Sequence, residues 1–244
     1  MSEHAGMAGT KVSESRMASV VPLEGAGGRT LTEAAYMALR NDIIAGVRPP
    51  QERLRIDRLK QLYNIGPTPL REALQRLAAD GLVIAVGNRG FSVAPLDAAE
   101  FEDLNVARTA IETQAARLSI ARGDAEWEAG VAGAAYRIAK ADAALKSDSA
   151  GISPAWEAAN DHFHWTTVSA CGSDWLLRAR ATINDQCARY RRASVALRRQ
   201  DRDLEAEHRA IAEAVLARNA DAACSLIEAH FQATTRTLVA ELSG

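Results

Sequence analysis

Between Thr30 and Val93 the chain runs through three short helical patterns and then a β-prone hairpin, an order of elements that leaves few folds open. Thr30-Leu31-Thr32-Glu33 has the spacing of a capping box, Ala35, Leu39 and Ile43 follow at helical intervals, and Gly46 supplies a stop. A second short helix is predicted from about Ile56 to Tyr63, with Leu59 and Leu62 inward. A third starts near Pro67–Pro69, carries Leu70, Leu74 and Leu77 on one stripe, and ends at Asp80-Gly81. Proline costs little there, because a first-turn N–H has no partner within the helix. "LVIAVGNRGFSV" then places β-branched residues on both sides of a Gly-Asn-Arg-Gly turn. Within residues 29–96 these elements make a winged helix-turn-helix.

Beyond Ala94-Pro95-Leu96 no strand signal follows. Asp97-Ala98-Ala99-Glu100 is another capping box and opens a long helix to about Arg122. Helices are expected near 124–145, 154–171, 173–199, 203–218 and 221–241, so residues 97–244 read as an all-α helical bundle and the fold class as mainly α. The composition agrees, with alanine abundant and aromatics at only 5%. Residues 1–28, rich in Ala, Gly and Ser and without apolar periodicity, are expected to be a disordered tail. No apolar run is long enough for a membrane span, and no secretory leader pattern opens the chain. Cys171, Cys187 and Cys224 are odd in number and widely spaced, which fits reduced thiols in a cytoplasmic protein.

Charge is divided unevenly. Residues 29–96 hold ten Lys/Arg against six Asp/Glu, leaving 19 basic and 25 acidic residues in the remainder. A basic unit on an acidic body suits contact with a phosphate backbone.

The segment "GPTPLREALQRLAADGLV", continued by the wing "GNRGFSV", resembles the recognition-helix signature of the GntR superfamily. The resemblance implies that the third helix enters the major groove of double-stranded operator DNA. It assigns DNA contacts to Thr68 and Arg71 on that helix and to Asn88 and Arg89 in the wing. Arg71 is the best base reader, since a guanidinium fork can pair with both guanine acceptors. Arg89 at a hairpin tip suits phosphate or the minor groove. Two positions depart from the family: its usual Ser-Arg pair is Gly66-Pro67, and Arg55 replaces the serine that commonly starts the second helix. Arg71 could otherwise be a surface residue paired with Glu72 or Asp80.

In the helical region His164, His208 and His230 each fall on a buried-looking stripe of a different helix. Neutral imidazoles that converge in this way suit zinc, nickel or manganese-type ions. A lone inward histidine is more often a hydrogen-bonded core residue. His162, two residues from His164, faces outward. Arg108 lies between Leu104 and Ile111 on the inner stripe of the long helix, where a guanidinium is costly unless paired, and Glu112 one turn on is its ordinary partner.

The stretches "ARTAIETQAARLSIARG", "NDHFHWTTVSACGS", "EHRAIAEAVLARNADAA" and "EAHF" resemble the C-terminal effector-binding (FCD) domain of the FadR-type branch. Within it, "PLREAL", "ACGS" and "ARYR" look most like regulators that respond to glutarate. That resemblance implies a divalent metal on Asn160, His164, His208 and His230, with Asn160 where an aspartate is common and Asp161 as a second candidate. It also implies a small carboxylate effector on Arg108, a dicarboxylate such as glutarate among the candidates. The expected protein is a homodimeric repressor that leaves a palindromic operator when the effector binds. An activator of the same architecture, or a metal-free DNA-binding dimer without effector, stays open. A metalloenzyme is disfavoured, because no H-E-x-x-H, no phosphate-binding glycine loop and no general base beside the histidines is found.

Overall fold

The computed structural model describes residues 30–87, 90–147, 152–193 and 202–243. The expected tail over residues 1–28 and the wing residues Asn88 and Arg89 lie outside them.

The N-terminal part contains α1 (Leu31–Ile44), β1 (Arg53–Leu54), α2 (Ile56–Tyr63), α3 (Pro67–Ala79), β2 (Val83–Ala85) and β3 (Phe91–Val93). Thr30 Oγ1 caps α1 by accepting from the Glu33 N–H at 3.2 Å, and Gly46 at φ +72° ends it in a left-handed turn that only glycine adopts without strain. The Glu33 carboxylate accepts from Arg76 of α3 at 2.6 Å, so half of the capping box is spent on tertiary structure. The three strands form an antiparallel sheet in the order β1-β3-β2, with Arg53 opposite Ser92 and Val83 opposite Val93. The hairpin is as expected from the sequence, whereas β1 is an addition. Leu39, Leu59, Leu70, Leu74, Leu77 and Leu82 are buried together and form this core.

The remainder is helical: α4 (Ala98–Arg122), α5 (Ala125–Ser147), α6 (Pro154–Val168), α7 (Asp174–Ala193), α8 (Leu204–Leu216) and α9 (Ala220–Leu242). Among the described residues α6 stops at Val168, short of the expected 171, and α7 is helical to Ala193. A second core of Ala115, Ile120, Val131, Ile138, Phe163, Ile211 and Phe231 joins α4, α5, α6, α8 and α9. The inner stripe of α4 changes character midway, from Phe101 through Asn105, Arg108 and Glu112 to Ala115, Ala116 and Ser119, all buried. A polar segment inside an apolar bundle must face other polar groups.

The two parts meet along α7. Arg40 of α1 forms a forked ion pair with Asp185, its Nε 2.6 Å from Oδ2. Gln186 Nε2 donates to the Asp80 carbonyl at the end of α3 at 2.5 Å. Arg189 Nη2 donates to the carbonyls of Ala94 and Pro95 at 2.7 and 3.1 Å. The Tyr190 hydroxyl accepts from the Asp97 N–H at 3.2 Å and donates to Glu100 at 2.8 Å. The capping box at Asp97 is therefore closed through a tyrosine on another helix.

Candidate functional site

Two surfaces carry functional chemistry. The first is the outer face of α3, where Thr68, Arg71, Glu72 and Gln75 are exposed while Leu70, Ala73, Leu74 and Leu77 hold the opposite face in the core. The neighbours that could neutralise Arg71 are engaged elsewhere. Glu72 accepts from Thr32 Oγ1 at 2.7 Å, and Asp80 accepts from the Tyr36 hydroxyl at 2.8 Å. Among the described residues Arg71 makes no ion pair. Tyr63 and Leu70 belong to the core, as expected; the Tyr63 hydroxyl donates to Asp42. Arg53, Arg55 and Arg58 add exposed positive charge around the start of α2.

The second is a recessed cleft in the bundle, lined by Arg108, Trp156, Asn160, His164, Arg191 and His230 among others. His164, His208 and His230 come from α6, α8 and α9 and are all buried. Their candidate donor nitrogens lie within 4.8 Å of one another, and the ring centroids are 4.8 to 5.6 Å apart.

The surroundings fix two of the rings. His208 Nδ1 is 2.7 Å from Asp142 Oδ2, and the other oxygen of Asp142 accepts from Trp156 Nε1 at 2.8 Å. A carboxylate oxygen accepts, so Nδ1 is the donor and Nε2 is the ring nitrogen left to meet a ligand. That Nε2, like Nε2 of His164, is buried without a hydrogen-bond partner. His230 Nδ1 is 2.8 Å from Glu207, which Arg202 also holds at 2.6 Å through its Nε.

Burial keeps the rings of His164 and His230 neutral. It holds His164 well below the usual imidazole range, with the neighbouring His230 and Arg108 acting in the same direction. Burial also brings His230 down to about 3, against the opposing pull of its hydrogen bond to Glu207. Burial alone would raise Glu207, but His230 and Arg202 outweigh it and hold the carboxyl at about 2. Three convergent imidazoles, two with orphaned Nε2 atoms and two backed by carboxylates, form a donor set that fits a divalent transition-metal ion. Asn160 is buried on the same cleft wall. Asp161 is not in the histidine cluster: it accepts from Asn184 at 2.9 Å, lies 3.7 Å from Arg180, and its side chain is 49% exposed. His162 is exposed, as expected, and pairs with Arg137 at 2.5 Å.

Arg108 is 5% exposed, with Nε 3.6 Å from Glu112 and its guanidinium 3.7 Å above the Phe231 ring. The ordinary partner exists, therefore, at a long distance for an ion pair. Glu112 also accepts from Arg180 of α7 at 3.1 Å. Arg191, next to the seam residues Arg189 and Tyr190, donates to both oxygens of Glu157 at 3.0 Å. Sequence reasoning missed Asp142, Glu157, Glu207, Arg180 and Arg191. A signal existed for Asp142, which interrupts the apolar stripe Val131, Ala134, Ile138, Leu145. The three cysteines are free and buried.

A winged helix-turn-helix with an unneutralised arginine on its recognition helix, joined to a helical domain, defines a DNA-binding transcriptional regulator. Comparison with known proteins is specific. Residues 31–93 match the gntR family of bacterial regulatory proteins and residues 103–233 match the FCD domain. The chain belongs to the GntR family and carries an FCD domain. It is 37% identical over 217 residues to the HTH-type transcriptional regulator BphR of Paraburkholderia xenovorans, covering 89% of this chain and 88% of that one. It is also 37% identical over 199 residues to the HTH-type transcriptional repressor GlaR of Escherichia coli, covering 80% and 90%. The fold matches E. coli McbR/YncC with a TM-score of 0.72 at 16% identity, over 87% of this chain and 99% of that one. These families and relatives are transcriptional regulators, not enzymes. Among the described residues no helix is long and apolar enough to cross a membrane.

Proposed function

We propose that the protein is a homodimeric repressor whose operator affinity falls when a small carboxylate enters the bundle cleft. A symmetric pair would set two α3 helices into successive major grooves of a palindromic site, about one helical turn apart. Thr68 and Arg71 read that groove, and Asn88 and Arg89 of the wing contact the DNA beside it, Arg89 at a phosphate or in the minor groove. The direction, repression, follows the 37% identical relative named a transcriptional repressor.

In the cleft, Asn160, His164, His208 and His230 hold a divalent ion of the zinc, nickel or manganese type. Such an ion supplies fixed positive charge and open coordination for an oxygen donor. Arg108 takes a carboxylate of the effector, a dicarboxylate such as glutarate being the leading candidate. The observation that carries this reading is Arg108 itself: buried, its Nε without a hydrogen bond, and sharing a cleft with two of the three convergent histidines.

The space between the cleft walls, its solvent-open mouth included, is about 310 Å³, yet the clear space within it holds about one water molecule. An effector must therefore move side chains to enter. It thus binds an opened state better than this one, as a ligand-driven switch requires.

The test is fluorescence anisotropy of labelled fragments from upstream of the gene, with zinc-supplemented full-length protein and a panel of mono- and dicarboxylates. An inverted repeat should bind at least about tenfold more tightly than random duplex, and one or more acids should weaken that binding about tenfold. No preference for any inverted repeat refutes the DNA reading. Intact operator binding that no organic acid changes refutes the switch.

A further inference from the structure

Buried charge around the cleft does not balance on its arginine side. Arg108, Arg180 and Arg191 are each no more than 5% exposed, against two buried carboxylates, Glu112 and Glu157. Arg108 and Arg180 share Glu112, Arg180 also lies 3.7 Å from the half-exposed Asp161, and Arg191 occupies Glu157 with its Nε and Nη2. Arg191 Nη1 and Arg108 Nε are both buried without a hydrogen-bond partner. Each guanidinium thus keeps one N–H beyond hydrogen-bond reach of an acceptor, Glu112 Oε1 standing 3.6 Å from Arg108 Nε, and an unpaired N–H is costly in a water-poor site. Both line the same cleft, so one anionic group placed there would relieve both. The histidine side has the opposite character: Asp142 and Glu207 already stand behind two of its rings.

From this asymmetry we infer that Arg191 is a second anion-binding residue of the cleft, and that Arg108 and Arg191 together take one carboxylate of a two-headed acid while its other head faces the histidines. The inference rests on the effector reading above and narrows it. The cleft selects dicarboxylates over monocarboxylates of the same length, and Arg191 sets that selectivity. A monocarboxylate seated at the histidines leaves Arg108 Nε and Arg191 Nη1 unpaired; one seated on the arginines leaves the histidine nitrogens unused. A guanidinium can meet two acceptors at once from a planar fork, which lets Arg191 keep Glu157 and still offer Nη1 to a ligand.

The experiment is calorimetric titration of full-length, zinc-supplemented protein with glutarate and with pentanoate, which share a five-carbon chain. Wild type should prefer glutarate by about tenfold or more, the worth of one or two charge-assisted hydrogen bonds. The double variant Glu157→Gln/Arg191→Gln removes one charge of each sign and leaves two amides able to bond each other. Its preference should fall to about threefold or less through loss of glutarate affinity, with pentanoate binding unchanged. Arg191→Lys keeps the charge beside Glu157 without the fork, and glutarate affinity should drop about fivefold while pentanoate is unaffected. It serves if the double variant does not fold. Wild type that binds neither acid overturns this inference together with the effector reading. Wild type that binds both acids without preferring glutarate, or a folded variant that keeps the full preference, overturns this inference alone.

Discussion

Replacing Asp142 by asparagine isolates the part of the histidine site that the sequence pattern alone did not expose. Asp142 is 1% exposed and accepts two hydrogen bonds, from His208 Nδ1 at 2.7 Å and from Trp156 Nε1 at 2.8 Å. An asparagine offers one acceptor and one donor in the same places. If its oxygen stays on Trp156, its NH2 group faces His208 and demands a lone pair on Nδ1, which moves the ring proton to Nε2 and blocks that atom as a ligand. If its oxygen turns to His208, two donors meet at Trp156. Either arrangement penalises the ligating tautomer. Loss of a partner behind a metal-bound histidine commonly costs 10–100-fold in metal affinity, about 1.4–2.8 kcal/mol. The metal-free protein should lose about 1–3 kcal/mol from the broken buried bond. Competition against a chromophoric zinc chelator reads the first effect, and urea unfolding of the metal-free protein reads the second. A folded Asp142→Asn protein with zinc affinity within about threefold of wild type would refute the tautomer argument.

Arg71→Ala should weaken operator binding by about 1–3 kcal/mol and leave unfolding within about 0.5 kcal/mol, since the side chain is exposed; unchanged anisotropy titrations would remove Arg71 from the interface. The metal-free protein should lose stability as pH falls below about 6.5. Unfolded histidines bind protons from there downward, whereas His230 resists until about 3 and His164 is also depressed. The stability is thus complete above the unfolded value and drains by up to about 1.4 kcal/mol per pH unit per ring, and urea midpoints that stay flat from pH 7 to 5 would contradict it. Arg189→Met removes the donor to the Ala94 and Pro95 carbonyls and should reduce the effector's influence on operator affinity at least about threefold. Calorimetric effector affinity should stay unchanged, and an undiminished influence would show that α7 does not transmit the signal.

The helices were legible because each carries its own punctuation. Thr30, Gly46, Asp97, Gly123 and Asn219 sit where α1, α4 and α9 begin or end, and the apolar stripes between them keep one period. Strand β1 was not, since two residues show no alternation and the strand exists only because β3 lies beside it. In the site, the histidines and Arg108 stood out as polar residues on apolar stripes. Arg191 did not, because "CARYRRA" on α7 reads as a solvated basic face until Glu157 of another helix is placed against it. Glu207 was hidden for the same reason: its partners His230 and Arg202 are remote or lie beyond the helix. Pairing across helices is a tertiary fact, and periodicity within one helix cannot supply it.

Three consecutive residues of α7 serve three neighbours: Arg189 the linker carbonyls, Tyr190 the cap of α4, and Arg191 the carboxylate of Glu157. One residue inserted ahead of them would turn that trio by about 100° and slide it about 1.5 Å along the axis. All three attachments would then be mis-aimed together, with no loop between them to absorb the error. Exchange of one side chain for another is tolerable along much of this helix, but a change in its length is not. Evolutionary gaps are therefore expected to collect in the connecting turns and to spare the segment from Arg180 to Arg191.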